Sequence, residues 1–163
     1  MTDPGLKTMN ADTTYRHTQY AWLCWLIAAI SIPAFVTAAM LWQKPGGAIL
    51  IAVSGLMLLY LAGSFGQLSV ADDDDALLIA FGPLPLFWRR ISYAKMRAAN
   101  VERTTFLEGW GIHWSLRGGW VWNLWGYDCV EIQLDQGKIF VGTDQPQILA
   151  EFLQARIAKT PAT

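Results

Sequence analysis

The stretch ILIAVSGLMLLYLAGSF, residues 49–65, decides how the rest of the chain is read. It holds no Asp, Glu, Lys, Arg or His. A helix rises 1.5 Å per residue, so about 20 such residues cover the roughly 30 Å of hydrocarbon in a bilayer. Working backward from it, the nearest full charge is Lys44 and the one before that is Arg16; working forward, it is Asp72. Two uncharged segments therefore flank a single lysine, and they predict membrane spans over approximately 20–42 and 48–65. The remainder of a 163-residue chain has too little polar sequence to wrap two such helices as a soluble core. Nor is the first segment a signal peptide. Its apolar run begins late, exceeds the usual 7–15 residues, and is followed at once by a second span.

Composition points the same way. Only 15% of residues are charged and 53% are hydrophobic, where an average soluble domain carries roughly 25% charge. Lys plus Arg (12) and Asp plus Glu (13) nearly cancel. With no basic excess, binding of nucleic acid by bulk electrostatics is excluded. Two cysteines, Cys24 and Cys129, make neither a disulfide framework nor a four-ligand zinc site, and His17 and His113 lie too far apart to give ligand spacing. No cofactor or metal is expected.

The loop between the spans, QKPGG at 43–47, breaks helices and makes the two spans antiparallel neighbours. Trp22, Trp25 and Trp42 fall near the ends of the first span, the depth that amphipathic rings prefer. Pro33 falls within it and removes one backbone hydrogen bond. Ala34, Ala38, Gly55 and Gly63 are small enough for close helix approach. Ion pathways through a bilayer use ionisable or strongly polar groups, and neither span has a charged one, so an anchor is expected rather than a transporter. Lys7 and Arg16 precede the first span, Lys44 alone sits in the loop, and Arg89, Arg90, Lys95 and Arg97 follow the second. The positive-inside rule then puts both termini in the cytoplasm.

From Gln67 the hydrophobic period shortens to that of strands. QLSV, ADDDDA and LLIAFG read as strand, turn, strand, with four aspartates at a solvated tip. They lack the glycine and distant Glu of a calcium loop. Gly82-Pro83-Leu84-Pro85 punctuates the chain; RRIS resumes a strand, YAKMR suits a short helical turn, and AANVERT is extended. In GGWVWNLW, Trp120, Trp122 and Leu124 alternate with Val121 and Asn123. CVEIQL and KIFVG form a hairpin about Asp135-Gln136-Gly137. Asp144 and Gln147 have capping-box spacing, Pro146 suits a first turn, and Ile148, Leu149, Phe152, Leu153 and Ile157 make one apolar stripe on a closing helix. The soluble half thus reads as six or seven short antiparallel strands closed by an amphipathic helix, an α+β domain in which the sheet curls as an open barrel.

The order of these pieces is similar to the bacterial PH-like (pleckstrin-homology-like) membrane proteins. FGP near Gly82, GWGI at 109–112, GGWVWN at 118–123 and VEIQLDQGKIFVGTDQP at 130–146 carry the resemblance, with the helix that follows. It covers roughly 67–157. It implies an N-terminal tail (1–18), a two-helix transmembrane hairpin (19–66), a PH-like domain (67–159) and a short tail (160–163) in a bacterial inner membrane. It brings no catalytic residues with it.

No nucleophile motif, phosphate loop or acid–base pairing is legible. Cys129 suits a small core residue, and His113 has no acid beside it. Glu102, Glu108 and Glu131 show no pairing. Trp110, Trp114, Trp120, Trp122 and Trp125 crowd one region, either as core or as an exposed face. Trp88, Arg89, Arg90, Lys95 and Arg97 form one basic cluster, either a headgroup contact or a charged strand edge. With Trp110 and Trp114 they are the candidate contacts for lipid or partner. Three functions fit: a non-catalytic assembly module binding a membrane protein partner, with a homo-oligomer open; an anionic-lipid sensor; and an accessory subunit of a membrane enzyme or transporter.

Overall fold

A computed structural model of the chain describes residues 14–82, 87–105 and 109–160, the side chain of Leu23 excepted. The expectations for Lys7, for Glu108, for Pro83-Leu84-Pro85 and for most of both tails lie outside these residues. The protein is α+β, with three helices and two sheets among the described residues. It divides into a helical unit, Thr18–Ser69 with Ile79–Arg89, and a sheet unit of Val70–Leu78, Arg90 onward and the residues through His17.

In the helical unit, α1 (Leu23–Met40) and α2 (Pro45–Ser64) pack along each other across a four-residue connection, Leu41 to Lys44. Pro45 stands in the first turn of α2, where its missing N–H costs nothing. The ring of Phe35 lies 3.0 Å from where a Cβ on Gly55 would be, so Gly55 does serve close approach; Gly63 faces open space and does not. Ala34 and Ala38 are half-buried. Trp22, Trp25 and Trp42 are exposed at the helix ends.

Among the described helices, α2 alone has the length and apolar composition to cross a membrane; the apolar run of α1, Cys24–Met40, is shorter. The reason is upstream. Residues Arg16–Tyr20, expected to lie in the tail and the start of the first span, form a strand, β1. The amide of Ala21 then donates to the carbonyl of Gly66, and the helix begins only at Leu23. Its 18 residues reach about 27 Å at 1.5 Å each.

β1 belongs to a four-stranded sheet in the order β1-β2-β3-β4, where β2 is Gln67–Asp73, β3 Ala76–Phe81 and β4 Phe87–Ser92. The division between the units falls within each of these strands. A 3₁₀ turn, Tyr93–Lys95, leads into the second sheet, as YAKMR suggested. This sheet lies wholly in the sheet unit and has the order β5-β8-β9-β7-β6. Its strands are β5 (Met96–Arg103), β6 (Gly111–Trp114), β7 (Trp120–Asn123), β8 (Asp128–Leu134) and β9 (Lys138–Gly142). Pairing is antiparallel except between β7 and β9, which run parallel. The all-antiparallel expectation fails here because β8 takes β5 as its second neighbour. The free edge of β9 is then filled by β7, which arrives in the same direction as β9.

Helix α3 (Pro146–Lys159) buries Leu149, Phe152 and Leu153, while Ile157 is half-buried and Ile148 is exposed. The stripe therefore works over its central turns. The capping box does not form. Gln145 occupies the cap position without a side-chain bond, and its amide donates to Thr143 Oγ1. Asp144 instead meets His17 of β1.

Candidate functional site

The tryptophan-rich segment builds one hairpin. β6 and β7 pair Trp114 with Trp120 and Ile112 with Trp122, and directly opposed residues in an antiparallel pair share a face. The tip between them is held tightly. Ser115 N–H donates to the Gly119 carbonyl, Gly118 N–H to the Ser115 carbonyl, and Arg117 N–H to Ser115 Oγ. Gly119 sits at φ +98°, and a Cβ there would lie 2.3 Å from the Lys138 carbonyl oxygen, so only glycine closes this turn. Leu116 stands at the apex, 94% exposed. Behind it the indoles of Trp114 and Trp120 pack edge to face, ring centres 5.8 Å apart.

The choice between core and surface thus resolves indole by indole. Trp122 is buried, whereas Trp110, Trp114, Trp120 and Trp125 are exposed, as is Tyr127. The alternation expected along β7 does not separate inside from outside, because Val121, Trp122 and Asn123 are all buried. Both faces of this strand are covered. On one, Val121 clusters with Cys129 and Phe140, and the Arg117 guanidinium and Lys138 ammonium lie 4.7 and 5.0 Å from the Phe140 ring centre. Arg117 also reaches Glu102, and Lys138 reaches Glu131. Cys129 is fully buried, in keeping with a small core residue, and His113 is half-buried on β6.

Arg90 bonds Asp73 and Asp75 at the β2–β3 turn, while Arg97 pairs with Asp135 at the β8–β9 turn. Two of the four cations are thereby matched with acids. Lys95 is exposed in the sheet unit; on the helical unit's part of β4, Trp88 is exposed and Arg89 half-buried. The structure thus leaves the aromatic candidates Trp110 and Trp114 exposed and pairs Arg90 and Arg97 with acids.

One constellation was hidden in the four aspartates. Asp72 is not at a solvated tip: its side chain is 4% exposed and accepts hydrogen bonds from Tyr93 Oη (2.7 Å) and from the Arg156 guanidinium. Arg156 in turn lies over the rings of Phe152 and Tyr93. Burial, then the bond to Asp72, pushes the Tyr93 phenol far above its usual range. Burial likewise raises Tyr15, which stacks on Phe152, to about 12. The signal was there in the period of two: Leu68, Val70 and Asp72 point the same way along β2, and the first two are core. A cleft of about 350 Å³ opens beside this network, lined by Asp74, Asp75, Ser92, Tyr93, Arg156 and Lys159. Among its charged groups, Asp75 is paired with Arg90 and Arg156 with Asp72. Among the described residues no group of His, Cys, Asp or Glu could hold a metal ion.

No protein-family model matches the chain, and no curated protein matches it.

Proposed function

We propose that the chain is a non-catalytic, membrane-anchored interaction module. In this reading α1 and α2 cross the bacterial inner membrane as a hairpin with both termini cytoplasmic. The sheet unit, of PH-like kind, is offered to a membrane or membrane-associated protein partner. The observation that carries the reading is the outer surface of the two helices. Ile30, Ile49, Leu50 and Met57 are each more than 60% exposed among the described residues. Apolar surface left in water costs about 25 cal/mol per Å², so such helices call for a lipid environment. A rigid sheet unit with displayed indoles and paired charges fits contact better than chemistry. Two sheets followed by an amphipathic C-terminal helix support the PH-like assignment.

The test is capture of the full chain from native membranes in nanodiscs, with quantitative mass spectrometry. We expect a membrane protein recovered in fixed ratio to the chain, in an amount that falls when Trp88 or Trp110 is replaced by Ser. Recovery of the chain alone would overturn the assembly role.

A further inference from the structure

We propose that the β6–β7 hairpin tip is a hydrophobic wedge that seats in the headgroup layer of a lipid bilayer, giving the sheet unit a second membrane contact. The proposal rests on the reading above, that the helical hairpin is in a bilayer.

Three features of the tip carry it. First, the apolar apex is presented rigidly. A leucine 94% exposed would ordinarily be explained by a mobile loop, but here the backbone on both sides is fixed by the three hydrogen bonds through Ser115, Gly118 and Gly119. Covering the side chain therefore requires no further ordering of the backbone. Second, the shape is convex. Leu116 projects beyond Trp114 and Trp120, which are 61% and 42% exposed and brace each other. A protein partner would need a matching socket, whereas a bilayer yields to a wedge. Third, the chemistry fits the interface. Indoles favour the headgroup depth, where the ring is in apolar surroundings and the N–H stays wet. From Gly109 to Tyr127 there is no carboxylate, so nothing on the segment is repelled by anionic lipid. The one full charge there, Arg117, is drawn back from the apex to Glu102 and the Phe140 ring.

The experiment uses the full chain reconstituted in vesicles of phosphatidylcholine and phosphatidylglycerol. The variant Leu116→Cys, in a Cys24→Ser background, is labelled with nitrobenzoxadiazole; Cys129 is fully buried and stays unlabelled. A second labelled variant, Glu151→Cys, marks the exposed outer side of α3, which packs on β5 and β8. We expect spin-labelled headgroup lipid to reduce emission from position 116 and leave position 151 bright. Trp114→Ser with Trp120→Ser should restore emission at 116. Protein that pellets with vesicles yet shows no quenching at 116 would overturn the wedge while leaving the anchor intact. Equal quenching at 116 and 151 would overturn it too, since mere nearness to lipid would then suffice. Quenching at 116 only by a spin label on a second copy would overturn it in favour of self-association. Protein that fails to pellet would overturn the anchor itself.

Discussion

Helices α2 and α3 both begin with proline and then differ in what they hide. α3 buries Leu149, Phe152 and Leu153 and turns Glu151 and Lys159 outward. α2 buries only Gly55, Ala62 and Ser64 and displays Ile49, Leu50, Val53, Leu56 and Met57. The first arrangement is that of a helix whose environment is water and whose partner is its own sheet. The second places small residues at the helix contact and large apolar ones outside, which is the order a lipid solvent selects. One chain thus contains two opposite rules for what faces out.

Substitutions can break that contrast, and the largest effect is expected at the buried charge of the sheet unit. Asp72→Ala strands the Arg156 guanidinium and the Tyr93 hydroxyl, and should cost about 3–5 kcal/mol. Urea unfolding of the purified protein in detergent, followed by near-ultraviolet circular dichroism, measures it. Next come matched leucines. Leu153→Ala, in the core under α3, should cost about 2–5 kcal/mol by the same measurement. Leu50→Ala, 68% exposed on α2, should change stability by no more than about 0.5 kcal/mol. Equal losses would erase the distinction between the helices. Gly119→Ala forces a side chain into the Lys138 carbonyl at a positive φ, and a loss of about 1–3 kcal/mol is expected.

A further effect is alkaline. Tyr15 is raised to about 12 by burial, and Tyr93 is raised further by burial and Asp72, so the folded state keeps phenolic protons that the unfolded chain releases near 10. Their contribution is complete below pH 10; the Tyr15 part is lost as pH climbs through 12, and the Tyr93 part goes on falling above it. Tyr15→Phe should flatten that decline, read as the urea midpoint at successive pH values.

How much of this was legible in the sequence follows from which interactions are local. The helices were legible because the lack of charge from Pro45 to Ser64 is a property of the segment alone. The β2–β3 and β8–β9 hairpins announced themselves through their turn residues. β1 was not legible. RHTQY has no strand signature of its own, and it becomes a strand by pairing with a segment far along the chain, where Thr18 Oγ1 meets Ser69 Oγ at 2.9 Å. The parallel β7–β9 pair is hidden for the same reason. Asp72 was read by its type, as one of four turn aspartates, when its position on β2 was the better guide. Among the indoles, type said only that they matter. Which are covered depends on the edge of the sheet that β6 and β7 occupy.

The central claim is that lipid, rather than protein, covers α1 and α2. Its most direct measurement is the fate of the full chain when membranes are washed with alkaline carbonate and sedimented. Retention in the pellet, with release only by detergent, is the predicted result. Recovery in the aqueous supernatant would contradict the account, because helices with these outer faces would then have found their cover elsewhere.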